Sequence, residues 1–201
     1  MATILLPLSL LLTLVATTEP AATKTGAVVL DIDHRKVQTG TDYYVLPVIR
    51  GMGGGLTLKL KNKTCPFNVG QDRFEVSRGL PLKFIPADPK QKFVQESTDM
   101  NAVFSAATVC VQSTAWRLGN VDDKTGRRYV MSGGVTGNPG VGTLSNWFKV
   151  ERYREDYKLV FCPTVCKFCK VICGDLGVFV ENGERWLGLS DVPLAVMFKK
   201  A

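Results

Sequence analysis

The sequence holds a single histidine, His34, and that scarcity removes most routes to nucleophilic or general-base catalysis. A Ser/His or Cys/His pair would have to be built on this one side chain, which stands in a turn-like stretch between Asp33 and Arg35. Long runs of like charge are also missing, although 25 Lys and Arg against 18 Asp and Glu leave a formal net charge of +7. The tightest basic groups are Arg127-Arg128, Lys167/Lys170 and Lys199-Lys200. Scattered in this way, the surplus reads as a soluble basic surface and not as a nucleic-acid footprint. The acidic pairs Asp122-Asp123 and Glu155-Asp156 lie in polar segments and read as solvated turns, not as a matched acid and base. Beyond the first residues no apolar stretch is long enough to anchor the chain in a bilayer. A sustained 3.6-residue apolar period is absent too. No enzymatic activity, cofactor, nucleic-acid partner or membrane partner is therefore expected.

The one strongly apolar segment, Ile4–Ala16, is interrupted only by Ser9 and Thr13. It matches the core of a secretory signal and is too short to span a membrane. Small residues follow at Ala16, Ala21 and Ala22, so residues 1–25 are expected to be a signal peptide and short N-terminus, and residues 26–201 a single domain. Six cysteines, Cys65, Cys110, Cys162, Cys166, Cys169 and Cys173, fit an oxidising compartment. An even count implies three bridges but leaves their connectivity open. The cluster at 162–173 has one CxxC spacing familiar from zinc ligands, but a four-cysteine zinc site takes its pairs from separated segments. Bridges, with no metal, are the expectation.

Short apolar or alternating segments, divided by 19 glycines and 10 prolines, carry the rest of the chain. The alternation predicts strands at 28–32, 43–49, 56–60, 82–85, 109–112, 116–118, 128–131, 147–153, 158–162, 178–181, 185–189 and 195–198. Hairpin loops are expected at Gly51–Gly55, Asp122–Gly126 and Glu181–Glu184. So many short strands argue for an all-β barrel or sandwich. An aromatic-x-apolar pattern at Tyr44-Val45-Leu46, Trp116-Arg117-Leu118 and Tyr157-Lys158-Leu159 hints at internal repetition, but its spacing is unequal. None of Trp116, Trp147 and Trp186 follows a Gln two residues earlier, so the Gln-x-Trp element of sugar-binding barrels is missing. These tryptophans are expected to pack in the core or at the barrel ends. Asn62-Lys63-Thr64 is the one N-x-S/T sequon, making Asn62 a plausible glycosylation acceptor in a secreted chain.

Several separated motifs then occur in a recognisable order. Val29-Leu30-Asp31-Ile32-Asp33, Val37 and Tyr43-Tyr44-Val45 open the domain; Leu159–Pro163, Gly174–Val178 and Leu189–Leu194 close it. Together they resemble the plant Kunitz (soybean-trypsin-inhibitor-like) family. Cys162-Pro163-Thr164-Val165-Cys166 and Gly137-Asn138-Pro139-Gly140 are similar to its miraculin-like branch. The resemblance implies a β-trefoil, a six-stranded barrel capped by three hairpins, with bridges Cys65–Cys110, Cys162–Cys173 and Cys166–Cys169. It implies a secreted protein, extracellular (apoplastic) or vacuolar, that inhibits endopeptidases, most of all serine proteases. With no seventh cysteine to join two chains, a monomer is expected.

Such inhibitors present an exposed loop shaped like a substrate, held rigid so that ordering costs are met before binding. The corresponding segment is Ile85–Phe93, whose Pro86 and Pro89 restrict its backbone. Lys90 is the first choice for the primary specificity position, with Pro89, Gln91 and Lys92 beside it; a Lys suits a pocket with a buried carboxylate. The family's bracing Asn falls at Thr39, whose shorter hydroxyl is not expected to make the same bonds. The alternative is a miraculin-like defence, stress or storage protein with weak or no trypsin inhibition, acting on cysteine or subtilisin-like proteases.

Overall fold

A computed structural model describes residues 26–201; the expected signal peptide lies outside them. Twelve strands run in chain order: β1 (Tyr43–Pro47), β2 (Leu56–Lys59), β3 (Asn68–Gln71), β4 (Leu82–Pro86), β5 (Met100–Phe104), β6 (Arg117–Val121), β7 (Arg128–Met131), β8 (Lys149–Tyr153), β9 (Asp156–Phe161), β10 (Gly174–Glu181), β11 (Glu184–Ser190) and β12 (Ala195–Lys200). Two short 3-10 turns, Lys61–Lys63 and Val141–Asn146, interrupt them.

The pairing shows why this is a β-trefoil. β1 pairs with β12 and β4, β4 with β5, β8 with β9, and β9 with β12. The remaining gap, between β5 and β8, is bridged at Met100 and Phe148. Strands β1, β4, β5, β8, β9 and β12 therefore close a ring with no free edge. The other six form the hairpins β2–β3, β6–β7 and β10–β11, which meet through β3–β11, β7–β11 and β3–β7 contacts. Period-2 burial fills the barrel: Tyr43 and Val45 of β1, Leu82 and Phe84 of β4, and Val196 and Phe198 of β12 all point inward. Phe84 meets Phe198 edge-on at 5.6 Å, and Trp116 packs between Phe104 and Phe148. All three tryptophans are buried.

Several expected elements are corrected. Residues 28–32 form only isolated bridges, Val28 to Gln95 and Leu30 to Lys36, because the Asp31 carboxylate turns the chain by accepting the amides of Asp33 and Arg35. Residues 109–112 are not a strand. Val109 and Val111 both face solvent on either side of Cys110, whose bond to Cys65 fixes the segment away from any ladder. Two strands, β3 and β5, went unpredicted because buried amides interrupt their apolar pattern. Asn68 and Gln71 lie in one and Asn101 in the other, and all three are buried. Gly51–Gly55 joins β1 to β2, which do not pair with each other and so make no hairpin. The aromatic repeat is out of phase: Tyr44 and Tyr157 sit in the first strands of their units, but Trp116 precedes a second strand. Asp122–Gly126 and Glu181–Glu184 do close hairpins, the latter with Asn182 and Gly183 both at positive φ.

All six cysteines are bonded: Cys65 to Cys110, Cys162 to Cys173 and Cys166 to Cys169. This is the same pairing that the resemblance implies, and it removes the thiolates that a zinc site would need. The first bond spans 45 residues and, on the chain-entropy account, contributes about 3–4 kcal/mol. The other two, spanning 11 and 3 residues, stiffen one local loop.

Candidate functional site

The candidate loop leaves the barrel where β4 ends. Pro86 makes the last rung opposite Met100, and the Ala87 amide then donates to the Asp99 carbonyl at 2.9 Å. On the return, Gln38 bridges Phe93, and Val94 donates to the Val37 carbonyl. The N-terminal segment 37–40 thus lies along the loop as a splint. Thr39 is its working residue: its amide donates to the Lys92 carbonyl at 3.0 Å and its hydroxyl to the Gln91 carbonyl at 2.9 Å. The hydroxyl therefore does brace the loop, reaching one carbonyl by side chain while the backbone reaches the next. Gln91 turns its amide inward to the Phe93 carbonyl at 2.8 Å, and Lys36 sits over the Phe93 ring.

Between these anchors Asp88, Pro89, Lys90 and Lys92 are exposed, while Gln91 is half-buried. The segment is neither a buried strand nor an untethered excursion. Its tip, however, is a closed turn. The Gln91 amide donates to the Asp88 carbonyl at 3.1 Å, and the Lys90 amide donates to Asp88 Oδ1 at 2.9 Å. Asp at the first position and Pro at the second are turn chemistry, so Asp88-Pro89 is itself the sequence signal for this turn. Asp99, in contrast, carries no local signal. It is buried, it caps the loop base through its carbonyl, and its carboxylate accepts the amide and hydroxyl of Thr164 from the Cys162–Cys173 loop.

Asn62 is exposed at positive φ in the 3-10 turn Lys61–Lys63, with the Thr64 hydroxyl bonded to the Lys61 carbonyl. His34 is exposed in a turn at φ 59°. Asp122 is a turn residue whose Oδ1 accepts the amides of Lys124 and Thr125.

The densest charge cluster lies beside Asn62, among the capping hairpins. The Lys61 ammonium sits 3.6 Å over the Tyr129 ring, 3.3 Å from Glu181 and 3.6 Å from Asp122. Arg127 reaches Glu181 at 2.5 Å, and the Tyr129 hydroxyl donates to the same carboxylate. Burial by itself would raise the Glu181 carboxyl, but the Tyr129 hydroxyl, the Arg127 guanidinium and Lys61 hold it below the usual carboxylate range. Burial likewise opposes the Lys61 charge, and Tyr129, Glu181 and Asp122 outweigh it. Because the folded-state Glu181 value is depressed, its stabilisation is full above the unfolded value and is lost as pH falls through the folded one. Glu181→Gln is therefore expected to lower the Tm near neutrality, with the gap from the parent closing below about pH 4. Thermal melts across a pH series check this; a gap that stays constant into acid would show that Glu181 acts through packing alone.

The family model described as trypsin and protease inhibitor matches residues 29–200. Kunitz trypsin inhibitor 5 of Arabidopsis thaliana is 54% identical over 174 residues, covering 86% of this chain and 85% of the relative. Miraculin of Synsepalum dulcificum is 50% identical over 181 residues, covering 86% and 82%. Among solved structures, the bifunctional alpha-amylase/subtilisin inhibitor of Oryza sativa superposes with a TM-score of 0.72 at 37% identity, covering 88% of this chain and 99% of that one. The chain belongs to the legume-type Kunitz family of trypsin and protease inhibitors.

Proposed function

We propose that this protein is a secreted, monomeric inhibitor of serine endopeptidases, with Lys90 entering the enzyme's primary pocket. As a member of a family of inhibitors it is a binding protein and not an enzyme, and its partner is a protease. The observation that carries the serine-protease reading is an exposed Lys90 on a loop splinted at both ends, by Ala87 to Asp99 on one side and by Gln91 and Lys92 to Thr39 on the other. A cation carried between these anchors meets a trypsin-like pocket with the ends of its loop already ordered. Pro89, Gln91 and Lys92 complete the contact segment. Secretion accords with three disulfides, and Asn62 is an accessible glycosylation acceptor.

A second reading is favoured by the closed turn at Asp88–Gln91 and by the likeness to Miraculin: a defence, stress or storage protein with weak trypsin inhibition, acting on subtilisin-like or cysteine proteases. Titrating the purified mature protein against trypsin, chymotrypsin, subtilisin and papain separates the two. The first predicts stoichiometric loss of trypsin activity at nanomolar to micromolar inhibitor. Trypsin left uninhibited while subtilisin or papain is blocked would move the assignment to the second.

A further inference from the structure

We infer that Asp88 is a latch that holds the tip of the candidate loop out of the form a protease cleft reads, and so sets the strength of inhibition. The inference rests on the assignment of Lys90 to the primary pocket. A peptide bound in an endopeptidase cleft lies extended and pairs its main-chain groups with the cleft's edges. Here two of those groups are already engaged. The Lys90 amide is held by Asp88 Oδ1 at 2.9 Å and the Gln91 amide by the Asp88 carbonyl at 3.1 Å. Neither Pro89 nor Lys90 has positive φ, as a type I turn with Pro at its second position requires. The loop on the far side is fixed differently: the carbonyls of Gln91 and Lys92 are bound to Thr39, outside the turn. Engagement by an enzyme therefore leaves the Thr39 splint in place and requires only Asp88, Pro89 and Lys90 to open.

The latch divides the free protein between a closed, turned tip and an open, extended one. Apparent affinity is lowered by the fraction that is closed. Removing the carboxylate acceptor while keeping the Pro89 restraint shifts that division toward the open form. Asp88→Ala is expected to inhibit trypsin about five- to tenfold more tightly than the parent, the effect of losing one side-chain acceptor bond at an exposed site. Asp88→Asn retains an oxygen acceptor at the same place and is expected to track the parent.

The test measures the inhibition constants of the parent, Asp88→Ala, Asp88→Asn and Lys90→Ala against trypsin, together with hydrogen exchange of the Lys90 amide in the free protein. Support is tighter inhibition by Asp88→Ala alone, accompanied by faster exchange of the Lys90 amide. Three outcomes overturn the latch: unchanged or weaker inhibition by Asp88→Ala, equal tightening in Asp88→Ala and Asp88→Asn (which makes the effect one of charge), or exchange at Lys90 indifferent to the substitution. Failure of the underlying assignment looks different. In that case Lys90→Ala inhibits as well as the parent, and the latch loses its role in affinity whatever the exchange rates show.

Discussion

Lys90→Ala is expected to weaken trypsin binding by about 2–5 kcal/mol, on the order of 30- to 4,000-fold. The size follows from what the side chain leaves behind. A trypsin-like pocket ends in a buried carboxylate, and closing it with an alanine strands that charge without a partner. Lys92 provides the internal comparison. It carries the same charge and is also exposed, but its carbonyl is tied to Thr39 at the loop's return, past the tip that Lys90 occupies. Lys92→Ala is therefore expected to change affinity by less than about 1 kcal/mol, as for a charge at an interface rim. Inhibition constants of the two variants, each checked for an unchanged Tm, decide the matter. If Lys92→Ala carried the larger loss, the primary position would belong to Lys92; equal small losses would take the contact out of this loop.

How far the sequence could reach depended on whether a residue's partners are local. Strand β1 was legible because Tyr43-Tyr44-Val45-Leu46 is a run of aromatic and aliphatic residues stopped by Pro47, and the β10–β11 hairpin because Asn182-Gly183 supplies the positive φ its turn demands. Strand β3 was not. Its Gln71 is fully buried, and its side-chain oxygen accepts from Arg185, 114 residues away. Strand β5 hides Asn101 in the same manner: its amide donates to the Asn146 carbonyl while its oxygen accepts the Gly137 amide. Buried amides whose partners lie far along the chain look like loop residues until those partners are known. The candidate loop divides along the same line. Its exposure and its lysines could be read directly, and the Asp88-Pro89 turn was readable from turn chemistry. The splint by Thr39 and the cap by Asp99 depend on contacts between segments far apart in the chain.

Asp99→Ala tests the buried carboxylate beneath that cap, with an expected loss of about 3–5 kcal/mol in stability, or a Tm lower by roughly 10 °C. Asp99 and Lys149 are 9% and 7% exposed, with Lys149 Nζ 3.8 Å from Asp99 Oδ1 and 3.3 Å from the Thr164 hydroxyl. The intact arrangement need not stabilise much beyond an apolar replacement, since both ions were desolvated to form it. Removing only the carboxylate is what costs, because Lys149 remains buried without a counter-charge and Thr164 loses the acceptor of its amide and hydroxyl. Replacing both partners, Asp99→Ala with Lys149→Met, is therefore expected to recover most of the loss. The main-chain bond from Ala87 to the Asp99 carbonyl survives either change, so trypsin affinity should fall far less than in Lys90→Ala. Denaturant melts of the single and double variants give the stability terms, and inhibition assays below the melting range give the affinity. A double variant as unstable as the single would rule out the stranded ammonium and leave the Thr164 tie between Asp99, just before β5, and the Cys162–Cys173 loop as the source of the loss.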